Sequence, residues 1–302
     1  MKAIDFSCKH DILIRYRDGQ LRPMDEPHYE VNEIAPGTWQ IASSGDYHYL
    51  LAGDGEAIAI DTGYGAGHLR EFLESVVGMP VRYVINTHHH FDHTALNSYF
   101  DGVYCGAASA DCLTEPFPSF AGIGFPQNPN VTVVKAGDII DLPGRPLEVF
   151  QFADHAPGSI GLLDKRSRIL FTGDEFMNKF KRISTSVEKL RDDMALLLER
   201  RGDFDRLCGG PGIFDGSLVN ICHEAAERIL DGLPGEKAPA EGDGFLPLEV
   251  EMLDGHMVFD WKRPRPMDIN GGKGLPKPGP DDLVYYWQGC RFTYNRNRIR
   301  KS

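Results

Sequence analysis

The chain has 302 residues, 41% of them hydrophobic, and a formal charge of -12. That acidity excludes broad nucleic-acid binding, which needs a basic face, and there is no run of about 18 apolar residues to span a bilayer. The opening MKAIDFSCKHDILIRYRDGQ lacks the apolar stretch and small-residue cleavage site of a signal peptide, and six scattered cysteines (Cys8, Cys105, Cys112, Cys208, Cys222, Cys290) without a C-x-x-C pair fit a reduced, cytoplasmic protein.

In chain order, GTWQIA, YHYLLAGD and EAIAIDTG are short β-rich segments parted by Gly and Asp turn signals, and they read as consecutive strands. GHLREFLESVVG has helical spacing, with Leu69, Phe72, Leu73 and Val76 on one face. VRYVINT is a buried-strand run that delivers the chain to His88. Strands follow near GVYCG, VTVV, LEVFQF, GSIGLLD and SRILFTGD, and helices at SVEKLRDDMALLLERR and LVNICHEAAERILDG. This alternation predicts sheets covered by helices, an α/β or α+β sandwich. From about Leu233 the composition turns to Pro, Gly and charge, and VEMLDGHMVFDW reads as a hairpin turning at Asp254-Gly255. The reading is a compact domain over residues 1–232 and a loop-rich appendage over 233–302. The closing CRFTYNRNRIRKS reads as a solvated basic tail.

The chemistry concentrates in INTHHHFDHTALN. His88 and His90 are alternate residues just past a strand, so their side chains leave on the same side. Asp92 continues the alternation, and His93 can turn to a neighbouring site. One short loop can thus supply ligands to two adjacent metals, as neutral imidazoles and carboxylates do for zinc. His10, His28, His48, His68 and His89 read instead as polar-loop or backbone-bonded histidines.

On these residues the chain resembles the metallo-β-lactamase-fold hydrolase superfamily, which includes glyoxalase II and quorum-sensing lactonases. AIDTG, with Asp61, resembles the first motif, whose aspartate orders the metal-binding loop. THHHFDH resembles the second, DHAPGSIGL with His155 the third, and LFTGDEF the fourth, with Asp174 as the bridging carboxylate. The motifs run in family order from about Tyr29 to Gly216. The resemblance implies a four-layer αββα sandwich with metals at one edge of the paired sheets. It implies a first metal site of His88, His90, His155 and Asp174, and a second of Asp92, His93 and Asp174.

The fifth motif departs. Where the family carries a Pro-Gly-His-Gly-like turn, this chain has RLCGGPGIFDGS, and Gly210 falls at the ligand histidine. Three accounts stay open: a substitute ligand (His256, His223, Cys208 or Asp215), a weak or empty second site, or a change of role. The implied activity is metal-dependent hydrolysis of an ester, thioester or lactone by a metal-bound hydroxide. Zinc is the expected metal, as one or two ions, with iron or manganese as alternatives. With the second site empty, Asp92 becomes a catalytic general base.

LTEPFPSFAGIGFPQNPN, with Phe117, Phe120 and Phe125, and DEFMNKFKRIS, with Phe176 and Phe180, are candidate pocket loops for a small-molecule substrate; the same aromatics would also serve as core anchors. No nucleic acid or membrane partner is expected, and a homo-oligomer is compatible with the composition. His88, His155 and Asp174 alone would make the two-histidine, one-carboxylate face of an iron persulfide dioxygenase. A non-catalytic metal-binding protein is a third class.

Overall fold

The computed structural model describes residues 12–15, 18–24, 26, 29–42, 46–63, 67–113, 127–152, 154–233, 235–238, 251–260 and 279–301. Two mixed sheets make the centre. The first has seven strands in sequential order: Glu30–Ala35, Thr38–Ala42, His48–Ala52, Ala57–Ile60, Val81–Ile85, Gly102–Gly106 and Val131–Val134. Its first four pair antiparallel, and from Ala57–Ile60 onward the pairing is parallel. The helix Leu69–Val77 supplies the crossover that parallel pairing requires. The second sheet has six strands, Ile139–Leu142, Arg145–Gln151, Ile160–Asp164, Ile169–Phe171, Arg206–Gly209 and Gly212–Asp215, again in chain order.

Strand periodicity sorts the core into layers. Tyr49, Leu51, Ile58, Ile60 and Ile85 of the first sheet meet Leu147, Val149, Leu162, Ile169 and Phe171 of the second in one buried cluster. Their alternates face outward. Leu50, Ala57, Ala59 and Val84 pack with Leu69 and Leu73 of the crossover helix. Leu163, Leu170 and Leu207 pack with Leu190, Met194, Ala225 and Ile229 of the helices Val187–Glu199 and Leu218–Leu230. Helix, sheet, sheet, helix is the αββα order, and the period of two produces it.

The two sheets are also clamped by charge. Arg145 and Asp164 are fully buried on neighbouring strands of the second sheet and form an ion pair. The guanidinium also donates to Ala52 O at 3.2 Å, Gly37 O and the Thr38 hydroxyl, all on the first sheet.

Two smaller sheets flank this centre. In one, Phe180–Ile183 pairs parallel with Cys290–Asn295, which pairs with Asp282–Trp287. In the other, Ile12–Arg15 lies beside His256–Asp260, whose hairpin with Glu251–Leu253 turns at Asp254 and Gly255. Both turn residues have positive φ, 50° and 88°, as a two-residue hairpin turn with the right twist needs. The boundary expected near Gly232 falls just past the helix Leu218–Leu230.

The basic tail is solvated only in part: its first half is a buried strand, while Arg296, Arg298, Arg300 and Lys301 are exposed. Cys290, Phe292 and Tyr294 alternate into the core behind Leu218–Leu230, and Arg291 is itself buried. Beyond them Arg298 donates to Ser184 O at 2.7 Å, while Arg300 and Lys301 reach Glu188 and Asp192 on the helix Val187–Glu199. The apolar alternation of that strand is masked in sequence by the charges interleaved with it.

Replacing Arg145 by Met should remove about 3–5 kcal/mol of stability, because Asp164 would remain buried without its counter-ion. Urea unfolding of the two proteins measures this. A loss below about 1 kcal/mol would show that the clamp contributes no more than a surface pair.

Candidate metal centre

Four strand ends deliver the site to one edge of the paired sheets. Asp61 follows Ala57–Ile60, the loop from Asn86 to His93 follows Val81–Ile85, His155 lies between Arg145–Gln151 and Ile160–Asp164, and Asp174 follows Ile169–Phe171. Loops at the carboxyl ends of parallel strands are where open α/β sheets place ligands.

Asp61 organises the loop. Its Oδ1 accepts from Thr87 N at 2.8 Å, and its Oδ2 from Thr87 Oγ1 at 2.7 Å. His93 Nδ1 lies 2.9 Å from the same Oδ2. The Thr87 hydroxyl gives its one proton to Asp61, so its lone pair can accept only from His88 Nδ1, 3.1 Å away. Both rings therefore turn Nε2 inward, and one carboxylate orients two imidazoles.

Three ring nitrogens then converge. His88 Nε2 is 3.0 Å from His90 Nδ1, and His155 Nε2 is 3.2 Å from the same atom. Zinc–nitrogen bonds of about 2.0–2.1 Å in a tetrahedron hold their nitrogens about 3.3 Å apart, so this cluster has the size of a zinc ligand set. Burial first, then the neighbouring imidazoles, pushes the His88 pKa well below its ordinary value and that of His90 down to about 3. Both rings are neutral and keep lone pairs to donate.

Asp174 lies between this triad and His93. Its Oδ2 is 3.9 Å from His155 Nε2, and its Oδ1 is 3.4 Å from His93 Nε2. Burial would raise its pKa, but His93, then His155 and His90, hold it at about 2, so it is ionised. For His93 burial acts downward, and Asp61, Asp174 and Asp92 outweigh it and raise the pKa well above 6.5. The pocket thus favours a positive charge at Nε2, which a proton or a metal ion can supply.

Three ligand groups stand out among the described residues: His88, His90 and His155; His88, His93 and Asp174; and Asp46, Asp92 and His93. The six expected ligands, His88, His90, Asp92, His93, His155 and Asp174, all fall within them. Asp46 was not expected. It precedes the strand His48–Ala52 and lies outside every motif, so no spacing in the sequence signals it.

Neither His223 nor His256 joins a group. His223 sits on the helix Leu218–Leu230 and His256 in the flanking hairpin. Cys208 lies between the sheets, where burial pushes its thiol up to about 12. Asp215 accepts from Ser217 N on the far side of its strand. His48 is fully buried rather than in a polar loop, and burial lowers its pKa to about 3.

Behind the ligands a buried ion cluster fastens the third motif. Lys181 pairs with Asp154 at 2.9 Å and Glu175 at 2.6 Å, and Glu175 accepts from His155 N at 3.1 Å. Phe176 and Phe180 were expected at a substrate pocket. They are 1% and 7% exposed, and Phe176 packs in the helix-side core beneath the Lys181 ammonium. Their surface goes to core packing, the anchor role. Phe117, Phe120 and Phe125 lie outside the described residues.

Replacing Asp61 by Asn removes the acceptor that orients two rings at once. Zinc affinity should fall about 10–100-fold, as for other groups that orient a ligand. Competition against a chromophoric chelator checks this, and unchanged affinity would mean the rings are held by packing alone.

Comparison with known proteins agrees with this geometry. Residues 47–186 match a family model described as the metallo-beta-lactamase superfamily. Human acyl-coenzyme A thioesterase MBLAC2 is 30% identical over 159 residues, which is 42% of this chain and 56% of that protein. The hydroxyacylglutathione hydrolase of Methylobacillus flagellatus is 32% identical over 138 residues, 44% of this chain and 48% of that protein. The chain thus spans about half the length of the curated relatives it matches. Among solved structures, a metallo-beta-lactamase from Pontibacter korlensis superposes with a TM-score of 0.53 at 18% identity, covering 66% of this chain and 99% of its own; at that identity the likeness is one of fold. Motif order, layer order and the family match agree: over residues 47–186 the chain is similar to the metallo-beta-lactamase superfamily.

Proposed function

We propose that the chain is a metal-dependent hydrolase whose substrates are acyl thioesters. The observation that carries this is the convergence of His88 Nε2, His90 Nδ1 and His155 Nε2, with the ionised Asp174 beside them. Three ring nitrogens and one carboxylate form a set suited to zinc, with iron or manganese as less favoured occupants. A divalent ion bound there would lower the pKa of a coordinated water to about 7 and polarise the acyl carbonyl.

The chain's own residues do the rest. Asp61 and Thr87 hold His88 and His93 in the ligating orientation. Glu175 and Lys181 fix the backbone of His155, so the third nitrogen arrives from the second sheet without a conformational search. Asp92 is available to accept a proton while no second ion is bound. Burial raises its pKa well above the ordinary carboxylate value, and Asp46 and Asp174 act in the same sense against His93.

The thioester choice rests on two relatives, one named a thioesterase and one named for hydrolysis of an acylglutathione. A thiolate is also a good leaving group, so attack on the carbonyl is the step that needs assistance.

Purified protein loaded with zinc should hydrolyse acyl-coenzyme A or acylglutathione thioesters equally under air and under nitrogen. His90→Ala should lower the rate on the order of 100-fold or more, since losing a ligand costs more than losing a group that orients one. His89→Ala should cost far less, because His89 belongs to none of the ligand groups among the described residues. Turnover that requires oxygen with iron bound would replace this reading with a dioxygenase, and metal binding without turnover of any acyl ester would leave a non-catalytic metal protein.

A further inference from the structure

Gly210 leaves the superfamily's histidine position without a side chain, and the structure shows what stands there instead. A Cβ placed on Gly210 would lie 2.4 Å from Asp174 Oδ1, 3.0 Å from His93 Cε1 and 3.0 Å from Asp46 Cβ. The position therefore does face the ligands, and Asp46 takes up the room beside it. Asp46 comes from the other sheet. Tyr47 N donates to Gly210 O at 3.0 Å, so a backbone hydrogen bond pins the two segments together and sets where Asp46 begins.

Its carboxylate is aimed at the metal side. Asp46 Oδ2 lies 3.6 Å from His93 Nε2, and ligand atoms of Asp46, Asp92 and His93 lie within 4.8 Å of one another. His93 gives an independent sign of a missing cation. The residue is fully buried, its Nδ1 is committed to Asp61, and among the described residues its Nε2 makes no hydrogen bond, the Asp174 Oδ1 at 3.4 Å lying beside it. Asp174 Oδ1, facing the same space, has none either. Buried polar atoms are nearly always satisfied, and a cluster of them without hydrogen bonds marks a place for an ion or a water. Two carboxylates crowded at this spacing, Asp46 and Asp92, with Asp174 on the same ring nitrogen at 3.4 Å, also repel one another unless a positive charge sits among them.

We propose that Asp46 is the ligand that replaces the superfamily's histidine, so that Asp46, Asp92, His93 and Asp174 form a second metal site of three carboxylates and one imidazole. Such an oxygen-rich set selects a harder ion than the nitrogen-rich set of His88, His90, His155 and Asp174. Carboxylates suit manganese and magnesium, and imidazoles suit zinc. The chain would then hold two different ions, with zinc in the first site and a manganese-type ion in the second, and Asp92 would act as a ligand when the second is filled. This inference builds on the hydrolase reading, since both sites share Asp174.

The test is a metal titration read without any enzyme assay. Protein stripped with a chelator and reloaded with one equivalent of Zn2+ is titrated with Mn2+. Free Mn2+ is followed by electron paramagnetic resonance, and bound metals are counted by mass spectrometry. Wild type should take up one Mn2+ and keep its zinc. Asp46→Asn, which keeps the shape but removes the charge, and Asp46→Ala should each keep the zinc while Mn2+ affinity falls about tenfold or more. Circular dichroism checks that both variants fold; Asp46 is about one-third exposed, so neither change empties a core. Unchanged Mn2+ binding in both variants would overturn the proposal, and so would a wild type that binds zinc alone at millimolar Mn2+. An Asp46-dependent Mn2+ site in a protein that hydrolyses no acyl ester would support this proposal and sink the hydrolase reading.

Discussion

The centre depends on one carboxylate. Asp61 sits in the left-handed region, φ 60°, a conformation that costs a non-glycine residue on the order of 1–3 kcal/mol. Hydrogen bonds to a charged group return about 1.5–3 kcal/mol each. Asp61 makes three, to Thr87 N, Thr87 Oγ1 and His93 Nδ1, so the strained turn is held with margin. Through Thr87 it reaches His88 as well. A single side chain at the end of one parallel strand thus sets the direction of two rings on the next strand's loop.

The same economy governs the second sheet. His155 would be a loop residue of uncertain position were it not tied through its own N–H to Glu175, which Lys181 holds in turn. That ion cluster is buried, and buried ion pairs do little for net stability. Its value here is positional, because it fixes where the third nitrogen and Asp174 stand relative to the first sheet. The helix Val187–Glu199 contributes Leu190 and Met194 to the same core as Phe176, over whose ring the Lys181 ammonium lies.

Much of this was legible in the sequence, and the limits have physical causes. Strands such as YHYLLAGD and EAIAIDTG show because one face of each meets the facing sheet while the other meets a helix. The H-x-H-x-D-H run shows because local spacing alone places its ligands. Its six-residue span needs no partner from elsewhere to look like a metal loop. The gap at Gly210 was readable from motif order, but Asp46 was not. It stands in SSGDYHYLL with no motif around it; His93 reaches it from a loop two strands away in the same sheet, and Gly210 only when the two sheets pair face to face. The closing strand Cys290–Asn295 was hidden for a similar reason. Arg291 and Asn295 read as a polar tail until the strand Phe180–Ile183 supplies a parallel partner. Phe176 and Phe180 looked like pocket aromatics because composition does not say which face of a loop is buried.

The central claim is that three nitrogens from two sheets, with Asp174, hold a metal ion. Anomalous diffraction at the zinc absorption edge, from crystals of the zinc-loaded protein, tests it most directly. The account predicts a peak about 2.0–2.1 Å from one ring nitrogen each of His88, His90 and His155, with Asp174 at a similar distance. A peak elsewhere, or none beside these histidines in zinc-saturated crystals, would contradict it.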